Sequence, residues 1–157
     1  MSDALDRLQS EAEIRAVISR YGQGVDARDY DQVRACYHPG AVHERGDFNG
    51  SGEEIVDWIA SIRETLIHCW HLIGYPLVEE FDGDRAEVET YCLTNQRLPG
   101  KDGGPAVDRL TPCRYRDTFT RVDGAWGIAV RRALYLPAQE LLVSDDVESP
   151  DSFSGAR

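Results

Sequence analysis

The sequence has no long hydrophobic run and no excess of positive charge. No window approaches the roughly 18 consecutive apolar residues of a membrane span. The first residues, MSDALDRLQSEAE, carry neither the basic nor the apolar segment of a secretory signal. Lys and Arg number 17 against 28 Asp and Glu, and the net charge of −11 disfavours phosphate backbones and anionic membranes as partners. We therefore expect a cytoplasmic protein that binds neither nucleic acid nor membrane.

The cysteines also lack a functional pattern. Cys36, Cys69, Cys92 and Cys113 stand apart from one another, with no CxxC pair. In a reducing compartment, isolated cysteines are most often buried thiols. Cys69 lies between two histidines, but no base–nucleophile pattern surrounds it. We expect all four thiols to be structural.

The length and composition are typical of a single globular domain. The chain has 157 residues, enough to bury a core, and 41% of them are hydrophobic. We assign residues 1–137 to this domain. The segment 138–157 is polar and acidic, and we expect it to be a loose tail.

Hydrophobic periodicity separates predicted helices from predicted strands along the chain. Helical spacing predicts helices from near Leu5 or Glu11 to Val25, from Tyr30 to about Tyr37, and from Glu53 to about Ile67. Alternation predicts strands at 41–48, 70–81, 85–97, 110–122 and 125–136, with turns at 49–52, 82–84 and 123–124 and a loop at 98–108. This order favours an α+β fold in which helices cover one face of a bent sheet. The open end of such a cone is a natural ligand cavity.

Two of the four histidines lie in the stretch IHCWHLIGYP, among large apolar residues. A buried imidazole costs free energy unless its nitrogens find partners. If 70–81 is a strand, alternation points His71, Ile73 and Tyr75 to one face. His68 lies at the exit of the preceding helix, so His71 is the better candidate for an inward ring.

The first helix offers polar residues that could meet this ring. Tyr21 lies on its apolar stripe, and Asp26 follows near its end. Five residues of ideal helix turn through about 500°, so these two side chains converge only if the helix loosens after Gly22 and Gly24.

The pattern alone leaves other interpretations open. A histidine such as His71 is more often a satisfied core residue, Asp26 a surface residue at a helix end, and Tyr21 a core residue. The spacing His68-x-x-His71 is compatible with a metal site. However, the change from helix to strand between the two residues spoils the geometry, and no further Cys/His cluster completes it. We expect no metal.

Four stretches together resemble the SnoaL-like branch of the NTF2-like superfamily, which includes scytalone dehydratase, bile-acid 7α-dehydratase and hexachlorocyclohexane dehydrochlorinase. They are RYGQGVDARDYDQVRACYHPGAV, GDFNGSGEEIVDWI, WHLIGYPLVEEFDGDRAEVETY and RYRDTFTRVDGAWGIAVRR. The resemblance covers about residues 10–136. It implies a cone-shaped α+β barrel whose cavity holds an Asp–His dyad at Asp26 and His71. It further implies catalytic roles for Tyr21 and for Arg131 on the last strand.

With this resemblance we hypothesise a cofactor-independent, dehydratase-like lyase of the carbon–oxygen class. His71 would remove a proton from carbon, and Asp26 would fix its tautomer and stabilise the imidazolium. Tyr21 would donate a hydrogen bond to a carbonyl or leaving hydroxyl, and Arg131 would bind the departing anion or an acidic end of the substrate. The substrate is expected to be small and cyclic or aromatic. We expect it to contact His43, Tyr75, Tyr91 and Tyr115.

The same dyad is also compatible with isomerisation or with formaldehyde-releasing cleavage of an aromatic diol. Related domains serve as ligand carriers or assembly subunits, so a non-catalytic module is a further alternative. Relatives associate through the outer face of the sheet, which implies a homodimer or homotrimer.

Overall fold

The computed structural model describes residues 2–46 and 48–143, and only the backbone of Ser2 and Asp3. Its helices are α1 (Ser2–Ala27), α2 (Tyr30–Arg34) and α3 (Gly52–Arg63). Its strands are β1 (Tyr37–Arg45), β2 (Phe48–Ser51), β3 (His68–Ile73), β4 (Leu77–Phe81), β5 (Arg85–Leu98), β6 (Val107–Val122), β7 (Ala125–Tyr135) and β8 (Gln139–Leu142). A short 3₁₀ turn, Lys101–Gly103, lies between β5 and β6. No helix within the described ranges combines the length and apolarity that a membrane crossing requires.

All eight strands belong to one sheet of order β2-β1-β7-β6-β5-β3, with β4 paired to β5 and β8 paired to β6. Only the β1–β7 pair among them is parallel. The edge strands β2 and β3 do not pair with each other, so the sheet curves without closing. The predicted α+β fold, a curved mixed sheet covered by N-terminal helices, is confirmed.

Helix α1 runs without interruption to Ala27, so the condition of a helix that loosens after Gly22 and Gly24 is not met. The glycines allow close packing instead. A Cβ at Gly22 would lie 3.3 Å from the Ile73 side chain of β3, and one at Gly24 would lie 2.8 Å from Val33 of α2. The absence of side chains at these two positions therefore brings β3 and α2 against the end of α1.

Helix α3 begins where its sequence carries a start signal. The Ser51 side chain accepts from the Glu54 backbone N–H, and the Glu54 side chain accepts from the Ser51 N–H, which forms a capping box. Ile55, Val56 and Ile59 are buried on the face that meets the core.

Three strand predictions need correction. The expected turn at 49–52 is mostly strand β2, which pairs back on β1. The expected strand 70–81 is interrupted at residues 74–76, where Pro76 has no N–H to donate to a neighbouring strand. Part of the expected loose tail is strand β8, which pairs with residues 107–110 of β6. The expected tail residues 144–157 lie outside the described chain.

Candidate active site

A cavity of about 490 Å³ opens between the helices and the concave face of the sheet. Its helical wall is mostly apolar, with Val25 of α1 and Trp58, Ile59 and Ile62 of α3, and also contains Arg63. The opposite wall, from β5 and β6, is largely polar and includes Thr94, Gln96, Arg109 and Thr111. Ligand sites commonly combine an apolar surface with a few convergent polar groups.

Asp26 and His71 meet at this cavity. The Nδ1 atom of His71 lies 2.6 Å from Oδ1 of Asp26, and the backbone N–H of His71 donates to Oδ2 of Asp26 over 2.9 Å. His71 lines the cavity, and its Nε2 makes no hydrogen bond to any described residue. In the neutral imidazole, a carboxylate beside Nδ1 favours a proton on that nitrogen, which places the lone pair on Nε2.

The ends of two helices hold Asp26 in place. Arg63 of α3 donates from Nε to the carbonyl of Val25 and from Nη2 to the carbonyl of Asp26, both over 3.3 Å. In return, Arg28 donates to the carbonyls of Arg63 and Leu66 at the end of α3, also over 3.3 Å. Cationic side chains bound to C-terminal carbonyls stabilise helix ends. This reciprocal capping fixes the last turn of α1, from which the Asp26 side chain reaches β3.

Cys69 lies beside the pair. Its sulfur and the donor atoms of Asp26 and His71 all lie within 4.8 Å of one another, a set that could hold a metal ion. Burial, together with the charge of Asp26, raises the pKa of the Cys69 thiol to about 12, which disfavours the thiolate that metals bind. A metal would also have to break the hydrogen bond between Asp26 and His71.

His68 does not join this group. It lies on the same strand as His71, three positions earlier, so its side chain points to the other face of the sheet. The two histidines therefore form no metal site, although the reason differs from the expected break between helix and strand.

Tyr21 and Tyr115 line the cavity, but Arg131 does not. The Arg131 guanidinium is fully buried behind these rings, 4.3 Å from the centre of the Tyr21 ring and 4.2 Å from that of Tyr115. It makes a two-point ion pair with buried Asp117, with distances of 2.8 and 2.6 Å. Burial alone would lower the pKa of Arg131, but Asp117 and the nearby phenols raise it well above its usual range. The expectation that Arg131 binds a departing anion is therefore wrong, because its charge is already paired and screened from the cavity.

His43 is likewise absent from the cavity lining. It is 1% exposed and lies beside Arg131 in the register between β1 and β7. Its Nδ1 lies 2.8 Å from the hydroxyl of Tyr37. Burial, then the charges of Arg131 and Arg45, lower its pKa to about 3, so the ring stays neutral. The expected substrate contact at His43 is corrected to a core position.

Tyr75 and Tyr91 are also misassigned as substrate contacts. Tyr75 is 76% exposed beneath the guanidinium of Arg15, because the strand ends at Ile73 and alternation no longer applies beyond it. Tyr91 is 62% exposed on the outer face of β5. Of the four expected contacts, the structure brings Tyr115 alone to the cavity.

Sequence reasoning missed three cationic side chains of the cavity, Arg45, Arg63 and Arg109. Arg63 had a detectable signal, because it follows Ile55 and Ile59 at intervals of four on the apolar face of α3. A charged residue on such a face needs a partner inside the fold. Arg45 stacks on Trp58 and Tyr135, a contact between elements that only the folded chain makes.

Comparisons with known proteins agree with this architecture. The sequence model of the family described as SnoaL-like domain matches residues 6–132. Comparison with curated protein sequences finds no significant match.

Many solved structures share the fold. A proposed scytalone dehydratase from Novosphingobium aromaticivorans is 18% identical, with a TM-score of 0.77 over 92% of this chain and 94% of that one. A type 2 hexachlorocyclohexane dehydrochlorinase is 20% identical, with a TM-score of 0.79 over 94% and 99% of the two chains. The β subunit of a proposed aromatic-ring-hydroxylating dioxygenase from N. aromaticivorans is 17% identical, with a TM-score of 0.66 over 83% and 92%. At these identities the likeness shows the fold.

Proposed function

The chain belongs to the SnoaL-like domain family of the NTF2-like superfamily, and from that premise we propose that it is a cofactor-independent lyase. In this proposal His71 removes a proton from a carbon of the substrate, and the substrate loses water or another small leaving group. The observation that carries the proposal is the contact between Asp26 and His71 at an open cavity.

The geometry supports a base at Nε2 of His71. Asp26 occupies Nδ1, which leaves the Nε2 lone pair free to accept a proton. The carboxylate also stabilises the imidazolium that forms. In a dehydration, the electrons of the broken C–H bond form the double bond as the C–O bond breaks. The imidazolium then returns its proton to the departing hydroxyl, which leaves as water.

Tyr21 and Tyr115 supply polar atoms to the same space. Both line the cavity, and burial raises the pKa of each phenol, so both remain protonated donors at neutral pH. We assign Tyr21 the hydrogen bond to a substrate carbonyl or to the leaving hydroxyl. Arg131 acts from behind the rings by stacking, without touching the substrate.

The cavity walls support a small cyclic or aromatic substrate. A flat ring would lie against Trp58, Ile59 and Ile62 with its polar substituents turned toward Thr94 and Thr111. Isomerisation on the same dyad would use the same base without loss of a leaving group.

An association of identical chains fits the outer face of the sheet. Leu72, Leu77 and Tyr91 are each about 60% exposed there, on neighbouring strands. We propose that this surface pairs copies of the chain as a homodimer or homotrimer. A monomer in light scattering at micromolar concentration would contradict this proposal.

The test is turnover of a panel of β-hydroxy carbonyl compounds and aromatic diols, followed by mass spectrometry for loss of water or formaldehyde. The matched variants are His71→Ala and His68→Ala, which remove imidazoles from opposite faces of the same strand. We expect the first to abolish turnover and the second to retain it. Equal turnover by the two variants would remove His71 as the base, and binding of panel compounds without any conversion would favour a ligand carrier.

A further inference from the structure

Arg63 is a buried cation in the cavity wall whose hydrogen bonds are incomplete. Its side chain is 5% exposed, and it lines the same cavity as His71. Nε and Nη2 donate to the carbonyls of Val25 and Asp26. The remaining nitrogen, Nη1, is buried and has no partner among the described residues. No carboxylate of the described chain lies within ion-pair distance of this guanidinium.

Two other arginines of the fold have carboxylate partners. Buried Arg131, whose Nη1 likewise lacks a partner among the described residues, is paired with Asp117, and Arg109, which also lines the cavity, is paired with Glu140. Arg45, the third arginine in the lining, stacks on Trp58 and Tyr135. Buried charges in proteins are normally paired, because an unpaired one loses its hydration without compensation. The carbonyl groups at the end of α1 account for two nitrogens of Arg63 and for part of its charge. Nη1 and the remaining positive charge of the guanidinium have no partner among the described residues.

The surroundings of Arg63 indicate what that partner is. Ile59 and Ile62 precede it on α3 and form the apolar wall, so the partner has a hydrocarbon part beside the guanidinium. Asp26, whose carbonyl Arg63 binds, carries the carboxylate that holds His71, so the partner also lies close to the dyad.

We propose that the Arg63 guanidinium binds a carboxylate of the ligand, and that the cavity takes a cyclic or aromatic carboxylic acid. Calling this ligand the substrate rests on the proposed lyase function, whereas the anion site itself does not. A carboxylate would satisfy the free N–H groups with a charge-assisted hydrogen bond. It would at the same time place the ring against the α3 wall and a ring carbon near Nε2 of His71.

The test compares benzoate with benzamide, which has nearly the same shape but no charge. Each is titrated into the full chain and followed by two-dimensional NMR, with resonances of the cavity residues as the readout. We expect benzoate to bind at least about tenfold more tightly in the wild-type protein. Arg63→Gln should reduce benzoate affinity to that of benzamide, and Arg63→Lys should keep part of the preference.

Controls separate this site from general electrostatics and from misfolding. Arg132→Gln removes an equal charge at an exposed ion pair with Glu44 and should leave the preference intact. If loss of the caps at α1 unfolds Arg63→Gln, Arg63→Lys keeps a cation at this position, and Arg45→Gln and Arg109→Gln show whether another cavity arginine sets the wild-type preference. Equal affinity for benzoate and benzamide, shifts confined to residues outside the cavity, or a preference lost in Arg45→Gln or Arg109→Gln would each overturn the proposal.

The outcomes also separate the anion site from the lyase. A benzoate preference in a protein that converts no compound of the panel would leave the anion site standing without the enzyme. Turnover of neutral compounds by a protein with no preference for benzoate would leave the enzyme without the anion site.

Discussion

Replacing Asp26 with asparagine removes the carboxylate that holds His71 at two points. The backbone N–H of His71 still needs an acceptor, and the amide oxygen of asparagine can serve as one. The amide NH₂ then faces Nδ1, which in the wild-type protein lies 2.6 Å from a carboxylate oxygen. The amide NH₂ and a protonated Nδ1 would both be donors in that contact. The ring proton therefore moves from Nδ1 to Nε2. The nitrogen that faces the cavity loses its lone pair.

The size of the effect follows from the bonds that change. A hydrogen bond to a charged group contributes about 1.5–3 kcal/mol, or about 10- to 150-fold in rate if it acts on the imidazolium. The wrong tautomer adds to this loss, as it does in the Ser-His-Asp triad. We expect kcat of Asp26→Asn to fall at least about 100-fold on any compound that the wild-type protein converts, with little change in folding stability.

The assay that needs no substrate is NMR of protein labelled with ¹⁵N in its histidines. Long-range proton–nitrogen correlations distinguish the two neutral tautomers of His71. We expect Nδ1–H in the wild-type protein and Nε2–H in Asp26→Asn. The matched control is Asp82→Asn, since Asp82 accepts a backbone N–H from Arg85 in an exposed turn. An unchanged His71 tautomer in Asp26→Asn, or turnover within about threefold of wild type, would refute the reasoning.

Three further predictions concern the buried ion pair of Arg131, the buried ring of His43, and the possible metal ligands Asp26, Cys69 and His71. Arg131→Met should lower the free energy of unfolding in urea by about 3–5 kcal/mol because it leaves Asp117 buried and unpaired, whereas exposed Arg132→Met should cost at most about 1 kcal/mol. The pKa of His43 is about 3 in the folded chain against 6.5 ordinarily, so only the unfolded chain gains this proton as the pH falls below 6.5. Between pH 6.5 and 4.5 the wild-type protein should therefore lose about 2 kcal/mol more stability than His43→Gln. Exhaustive chelation should leave turnover and benzoate binding unchanged.

Each of these predictions has an opposing result. If the double variant Arg131→Met/Asp117→Leu is as unstable as Arg131→Met, the unpaired carboxylate is not the cause of the loss. Parallel stability curves for wild type and His43→Gln would mean that His43 is protonated in the folded chain. Recovery of activity on adding Zn²⁺ after chelation would assign the cluster around Asp26 and His71 to a metal.

The parts of the fold that follow from local periodicity could be predicted from the sequence. The capping signal of α3 lies within four residues, and the strands beside the 82–84 and 123–124 turns alternate clearly. Strands β2 and β8 could not be read because each has only four residues and is defined by its pairing with distant residues.

Some side chains of the site were located from the sequence, and others were misplaced. The resemblance selected Asp26 and His71, which the fold does bring together. It placed Arg131 in the cavity because sequence gives no sign of Asp117, fourteen residues away, as its buried partner. Alternation misplaced Tyr75 because it cannot continue past a strand that ends at Ile73.

The proposed reacting groups and the walls of the cavity come from different elements of this fold. Asp26 and His71 meet where the end of α1 reaches β3, whereas Trp58, Ile59 and Ile62 of α3 set much of the width of the cavity. A library that varies these three α3 positions alters which molecules fit without removing any hydrogen bond of the reacting pair. The fold thus offers laboratory evolution two separate targets, the α3 face for the shape of the cavity and the Asp26–His71 pair for the proposed reaction.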